Sequence, residues 1–360
     1  MPTDTQPALS IIVPVYNSGA YLRTCIESLK AQDCGEELEF ICVNDGSTDS
    51  SSRELEAWAA CDSRVRVLHQ ANGGYGKAMN TGLAAARGAY IGIVEPDDWV
   101  APHMYRTLLK WTKHTQADII KGAYSEEGCG HKRVDARFRS LKDGATFAPL
   151  DYPEFLLGSP CIWTAIYRKE MIDAAHIRFN ETPGASYQDF GFFMRTWAAA
   201  NSITITHKIL YHYRKNNPTS SIRRQEEGAW ALLQEIADTQ DLFDSLADTE
   251  ASKRSLLLRR VFHSMVADYK SRVNETLIGW LRECSQILRR LAPIDKLMPQ
   301  YFTRHEWHDL VILYTRPGSY PKARKMGASV LQRIFSIRSE AGRRYVRFLG
   351  GKFKIGKKSS

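Results

Sequence analysis

The stretch Tyr90-Ile-Gly-Ile-Val-Glu-Pro-Asp-Asp-Trp99 decides how this chain is read. A short apolar run bracketed by Gly88 and Pro96 predicts a buried strand. That strand runs straight into Glu95, Asp97 and Asp98. Carboxylates packed at a buried strand end repel one another and are costly to desolvate unless a cation or strong donors sit among them. Hard oxygen ligands at this spacing suit Mg2+ or Mn2+, ions that usually also hold a substrate phosphate. A lone Asp-Asp pair would read as an ordinary acidic loop; the neighbouring segments change that.

Three more strand-like runs precede it. Leu9-Ser-Ile-Ile-Val-Pro-Val-Tyr16 ends at Asn17, Leu38 to Val43 ends at Asn44-Asp45-Gly46-Ser47, and Val65 to Leu68 ends at His69-Gln70-Ala71-Asn72-Gly73-Gly74. Helical patterns separate them, at about Ala20 to Ala31, Asp49 to Ala60 and Gly76 to Arg87. This alternation predicts an α/β fold with a mostly parallel sheet, flanked by helices, whose ligand site lies outside the carboxyl ends of the strands. Asn17, Asp45, Asn72 and Glu95 to Asp98 are thereby expected in one crevice. Asp45 can accept from a base imide N–H, which uracil, thymine and guanine all carry. Ser47 and Asp49 read as helix N-caps. Tyr16 is either a stacking platform for the base or packing. Asn72-Gly-Gly-Tyr-Gly-Lys77 opens a helix, so its N–H groups and Lys77 can meet a diphosphate. Ala78 after Lys77 excludes a Walker motif.

With these segments in view the chain resembles the family 2 glycosyltransferases of the GT-A (Rossmann-like) fold. The match rests on Ser10 to Asn17, Val43-Asn-Asp-Gly-Ser-Thr-Asp49, Asn72 to Asn80 with Gly82, and Glu95-Pro-Asp-Asp-Trp99. It extends through Trp163, Tyr187-Gln-Asp189 and Tyr211-His-Tyr-Arg214 with Ser220-Ser221. The resemblance implies inverting transfer of a sugar from a nucleotide donor, preferably a UDP-sugar, with Mn2+ or Mg2+ as cofactor. It places Pro14, Tyr16, Asn17, Asp45, Asn72, Lys77, Glu95, Asp97 and Arg214 on the donor side. Asp97 with Asp98 and His212 would hold the metal, and Trp163 and Gln188 would face the acceptor. Asp189 would be the general base, taking the acceptor proton while Lys77 and Arg214 support the leaving diphosphate. Two residues depart from the family's pattern. Glu95 stands where the first Asp of a D-x-D segment is usual, and Gln188 replaces the Glu before the base. Each residue also has a plainer role: Asp189 as a helix N-terminal acid, Trp163 as core, His212 as a surface His.

The charge is uneven. From Arg316 to Ser360 thirteen basic residues face one acid, Glu340, a net +12 that leaves −3 for the rest of a +9 chain. Domains are expected at 1–222 (nucleotide-sugar-binding and catalytic), 223–315 (helical, with Leu256, Val261, Met265 and Tyr269 at helical spacing) and 316–360 (a basic amphipathic tail). In the tail, Met326, Val330, Leu331, Ile334 and Phe335 predict an amphipathic helix, and Tyr345 to Leu349 with Lys352 to Ile355 predict a hairpin about Gly350-Gly351. Such a tail suits an anionic membrane surface, as a glycan, glycolipid or teichoic-acid-like, lipid-linked acceptor would require. No run approaches the roughly 20 apolar residues of a membrane span. Met1 to Ala8 has no signal-peptide core, and seven cysteines without C-x-x-C fit reduced thiols, so a cytoplasmic protein on the inner membrane face is expected. No RRM, KH or helix-turn-helix signature supports nucleic acid as a partner. A nucleotide-sugar-binding protein or nucleotidyltransferase is the alternative, and it would need no base at Asp189.

Overall fold

The computed structural model describes residues 6–34, 37–128, 133–134, 138–217, 228–271, 277–321, 335–340, 343–348 and 351–357. They fall into two compact units, Met1–Val261 and Phe262–Ser360. The first begins with β1 (Leu9–Val15), α1 (Gly19–Lys30), β2 (Leu38–Asp45), α2 (Ser51–Ala59), β3 (Val65–Gln70), α3 (Tyr75–Ala85) and β4 (Tyr90–Ile93). These match the expected alternation. β5 (Trp99–Val100), α4 (Met104–Thr115), β6 (Ile119–Glu127), β7 (Arg133–Val134), β8 (Thr146–Phe147) and α5 (Glu154–Leu157) follow. Next come β9 (Ala165–Arg168), α6 (Lys169–Ala174), α7 (Gln188–Ala199), β10 (Ile203–Arg214), α8 (Gly228–Ala237), α9 (Gln240–Ser245) and α10 (Ala251–Ser271).

The sheet runs β3-β2-β1-β4-β9-β6-β10-β5, with β7 on β6 and β8 on β10. Its first four strands are parallel, since each is joined to the next in sequence by a crossover helix. The far half is mixed: β9 is antiparallel to both β4 and β6, while β10 is parallel to β6. β1 and β2 are buried along their whole length, as unbroken apolar runs covered on both faces must be. The helical pattern beyond Gln225 is realised in this unit as α8, α9 and the part of α10 up to Val261, with Leu256 and Val261 fully buried.

The second unit holds α11 (Leu277–Leu291) and α12 (Arg304–Thr315). Trp280, Leu281, Cys284, Ile287 and Leu288 of α11 are buried, and Tyr314 donates to the carbonyls of Leu288 and Ala292, both at 3.0 Å. Thr303 and Glu306 form a capping box at the start of α12. Met265 is buried, whereas Tyr269 meets the Tyr320 ring edge-on. β11 (Phe335–Glu340), β12 (Arg343–Phe348) and β13 (Gly351–Lys357) form an antiparallel three-stranded sheet. β12 and β13 pair antiparallel as the expected hairpin requires, with Gly351 already in β13 opposite Phe348, while Leu349 and Gly350 lie outside the described residues. Phe335 starts a strand and is not in a helix, because it pairs with Phe348. Met326, Val330, Leu331 and Ile334 lie outside the described residues, as do Ser220 and Ser221. Among the described residues no helix is long and apolar enough to cross a membrane.

Candidate functional site

The ends of β1 and β2 are tied together before any ligand is considered. Asn17 takes a left-handed φ of 48°, which Asn tolerates. Its Oδ1 accepts from the Thr48 N–H at 2.8 Å and the Asp49 N–H at 3.3 Å. Asn17 thus shapes the turn that carries Asp45. The N-cap of α2 is Ser50 and neither Ser47 nor Asp49: Asp49 Oδ1 accepts from Ser51 N–H at 2.9 Å from one residue further out, and Ser47 donates to Val15 O and accepts from Asn17 N–H. Pro14 lies within β1 opposite Val43, and Tyr16 is 51% exposed. An exposed ring at the strand end is free to stack, which favours the platform over packing.

Asp45 is buried, and three donors reach it. Gln70 Nε2 (2.7 Å) and Gly73 N–H (2.9 Å) bond Oδ1, and Gly74 N–H (2.9 Å) bonds Oδ2. An ionised carboxylate offers about four acceptor positions, so room remains for one further donor. Asp45 therefore holds the Gly-rich loop in place. That loop is tightly confined: a Cβ on Gly46 (φ +73°) would come 2.8 Å from Asn72 N. Lys77 is exposed, its stem folded over Gly73.

Residues 179–188 run as a strap across the start of α3. Tyr75 N–H donates to Gly184 O at 2.9 Å. A Cβ on Gly76 would stand 1.8 Å from Asn180 O, so only glycine admits this approach. Asn80 exchanges hydrogen bonds with the Phe179 backbone, both at 2.9 Å.

The acidic turn after β4 separates its three carboxylates. Glu95 accepts from Tyr75 Oη at 2.7 Å; burial, with Asp97 and Asp189 adding repulsion, pushes it up to about 8. Asp98 is fully buried, accepting from Tyr211 Oη (2.8 Å) and Arg214 N–H (2.7 Å), and burial raises it well above the carboxylate range. Asp97 is partly exposed; Asn217 Nδ2 reaches only its Oδ2, at 2.8 Å. Arg214 Nε donates to the Asp97 carbonyl at 2.7 Å, and its guanidinium lies between the Tyr21 and Trp99 rings at 4.9 and 4.8 Å. His212 stacks on Trp99, with Nδ1 2.9 Å from Ser125 Oγ and 3.3 Å from Glu127 Oε1. Among the described residues no group of three or more His, Cys, Asp or Glu side chains is arranged as a metal site. Of the expected trio Asp97, Asp98 and His212, Asp98 has both oxygens taken by protein donors and His212 is turned to Ser125 and Glu127. Asp97 keeps an oxygen for a ligand.

Asp189 lies in the first turn of α7, where its own N–H and that of Phe190 favour its charged form. Burial outweighs them and raises it, and it interacts electrostatically with Glu95 and Tyr75. Asp189 thus lies within electrostatic reach of Glu95. Gln188 is buried and turned into the strap: it accepts from Ser186 N–H (2.6 Å) and donates to Thr182 Oγ1 (2.9 Å). Trp163 is 9% exposed, stacked on Tyr211 and Tyr213 with Tyr124 edge-on. It packs in an aromatic cluster behind the site, and its core reading fits this burial.

Tyr75, Tyr211, Asn217 and Tyr21 were not singled out from the sequence, although two of them lie inside the quoted segments. Buried acids need donors, and a Tyr next to each acidic segment was the available signal.

A profile described as "Glycosyl transferase family 2" matches residues 10–174. The chain is 30% identical over 298 residues to "Glycosyltransferase GlyG" of Streptococcus pneumoniae serotype 4, covering 79% of this chain and 94% of that protein. It is 34% identical over 227 residues to "Uncharacterized glycosyltransferase EpsJ" of Bacillus subtilis, covering 58% of this chain but only 62% of EpsJ. Among solved structures, S. aureus TarS 1-349 in complex with UDP-GlcNAc has a TM-score of 0.69 at 19% identity, covering 97% of this chain and 99% of that one. At that identity the likeness is one of fold.

Proposed function

Because this chain belongs to glycosyl transferase family 2, we propose that it moves a sugar from a UDP-sugar to a hydroxyl of a glycan, glycolipid or teichoic-acid-like acceptor, with inversion at the anomeric carbon. The observation that carries the reading is that the Gly-rich loop held by Asp45 reaches the acidic turn, where Tyr75 Oη donates to Glu95 at 2.7 Å. Asp45 retains an acceptor position for a base imide, and Tyr16 offers its face to the base. The loop N–H groups of Gly73, Gly74 and Tyr75 are taken by Asp45 and Gly184, so the exposed Lys77 beside them is the group that meets the diphosphate. UDP is favoured because the TarS structure, similar in fold, is a complex with UDP-GlcNAc.

Transfer forms one C–O bond, breaks another and moves one proton. Asp189 takes the acceptor hydroxyl proton, the oxygen attacks C1 opposite the diphosphate, and the C1–O bond breaks with its pair going to the diphosphate. Arg214 lies beside Asp97 and adds positive charge on the leaving side. The donor set fits Mn2+ or Mg2+: ions of this kind commonly use one or two carboxylates plus substrate phosphates and water, and Asp97 has an oxygen to give. Bound there, the ion would neutralise charge building on the leaving oxygen. The +12 tail suits an anionic membrane surface at the inner face, each basic residue near it contributing about 1 kcal/mol.

The test is nucleotide release from a panel of UDP-, dTDP- and GDP-sugars, with acceptor glycolipid extracts, in Mn2+, Mg2+ or EDTA. Metal-dependent release from one UDP-sugar is expected. No release, together with no heat protection by any of the three nucleotides, would overturn the donor site. Cosedimentation with anionic but not neutral vesicles is the expected result for the tail.

A further inference from the structure

The helical segment after β10 reaches back to the strap through one buried carboxylate. Glu235, on α8, is 1% exposed. Its Oε2 accepts from Asn180 Nδ2 at 2.7 Å, and its Oε1 accepts from Thr182 Oγ1 at 3.0 Å. Each partner has a second task. The Asn180 carbonyl occupies the space above Gly76, at the start of the helix that would face the diphosphate. Thr182 Oγ1 accepts from Gln188 Nε2 at 2.9 Å, one residue before Asp189. One acceptor group thereby anchors both arms of the strap, the donor arm through Asn180 and the base arm through Thr182.

The neighbouring helix makes room for this. Gly191 sits inside α7, where glycine costs about 1 kcal/mol relative to alanine. A Cβ there would lie 3.1 Å from Arg195 Nη1, 3.3 Å from Glu235 Oε2 and 3.6 Å from Asn180 Nδ2. Arg195 reaches across to the Asp238 carbonyl and Asp241, and its charge beside Glu235 favours the ionised form. Burial opposes it and holds Glu235 up at about 7 despite the Thr182 and Asn180 bonds. A carboxylate kept in such surroundings serves its two donors.

The geometry points to Glu235 as a positioning residue for sugar transfer: through Thr182 and Asn180 it fixes the 179–188 strap, and with it the place of the Asp189 carboxylate over the donor. This rests on Asp189 being the base. The strap runs directly into the base, which stands in the first turn of α7 just after Tyr187 at a left-handed φ of 66°, so the strap's side-chain anchors bear on where that turn begins. Misplacing a reacting group by about 1 Å can cost on the order of 100-fold.

The test uses the full chain with Glu235→Ala, Glu235→Gln, Thr182→Val, the Glu235→Gln/Thr182→Val double variant and an Asp189→Asn control. Hydrogen exchange is followed across 179–190, and kcat and KM are measured for the donor found by the panel. Glu235→Ala and Thr182→Val are expected to speed strap exchange and lower kcat about tenfold or more, with donor KM within about threefold. Glu235→Gln keeps an acceptor oxygen and should recover much of that loss. The double variant should be no slower than Thr182→Val alone, since residues in one network are not additive. If Glu235→Ala does not fold, the Gln and Val variants with their double complete the cycle. Unchanged strap exchange, wild-type kcat in the Thr182→Val variant, or losses that multiply would overturn the assignment. Full turnover in Asp189→Asn would instead remove the base reading and leave the strap measurement standing.

Discussion

Two regions deliver carboxylates to the same site by different means. The turn after β4 is held from within the sheet: β10 supplies Tyr211 and the Arg214 N–H to Asp98, and Asn217 follows with a bond to Asp97. The 179–188 strap pairs with no strand among the described residues; apart from the backbone bond from Tyr75 N–H to Gly184 O it is held by side chains, Asn80 on one side and Glu235 on the other. A sheet-held acid resists displacement because many backbone bonds would have to break together. Asp189, in the first turn of the helix that the strap leads into, depends in part on those few bonds, which makes its position adjustable and vulnerable.

The most severe break in this comparison is Asp189→Asn. Its carboxyl is favoured by its own N–H and that of Phe190, which an amide oxygen can also accept. Turnover should fall by about 10²–10⁴-fold, the usual contribution of a general base, while the thermal midpoint stays near wild type. Retained turnover, measured with the same donor, would take the base away from the strap. Next is Asp98→Ala set beside Asp97→Ala. Removing Asp98 leaves the Tyr211 hydroxyl and the Arg214 N–H buried without their acceptor, at about 1–3 kcal/mol for each. Removing Asp97 should cost little stability but abolish the dependence of turnover on Mn2+ or Mg2+. Denaturant titration and an EDTA series separate the two, and equal stability losses would erase the distinction drawn between these neighbours.

A third change acts on the contact between the strap and α3. Gly76→Ala places a methyl 1.8 Å from the Asn180 carbonyl, a backbone atom that cannot rotate away. We expect a loss of about 1–3 kcal/mol, the usual range for overpacking, with faster proteolysis confined to the strap. A wild-type denaturation midpoint would mean that the strap yields freely, contrary to its anchoring by Glu235.

The donor half of the site is the half that short-range pattern exposes. Apolar runs ending in Asn17, Asp45 and Glu95 give the parallel strands, and the rule that ligands lie beyond strand ends gathers those residues without any long-range knowledge. Asp98 is different, since its partners lie 113 and 116 residues away, and no local pattern distinguishes it from Asp97. Gln188 and Trp163 likewise look available for an acceptor until the strap and the aromatic cluster around them are placed. Phe335 fits a helical period, and a pairing with Phe348 makes it a strand. β9 falls between β4 and β6 for the same reason: the pairing of distant segments overrides what periodicity within either one suggests.

The smallest effect predicted concerns the charge that the helical segment brings to the base. Arg260, on α10, lies over the Phe190 ring at 5.2 Å and lowers the Asp189 proton affinity, partly opposing the rise caused by burial. The base works ionised, so turnover must fall as pH drops through the Asp189 value, which stands above the ordinary aspartate range of about 4. Arg260→Gln keeps a long polar side chain but removes the charge. Burial is then less opposed, the Asp189 value rises, and the acid limb of the kcat profile moves to higher pH, by less than about one unit for an interaction screened at an effective dielectric near 20. Well above that limb the variant and the wild type should agree. A limb that stays in place would show that Arg260 only packs against Phe190; a limb that moves to lower pH would mean that Asp189 is not the group whose ionisation the profile reports.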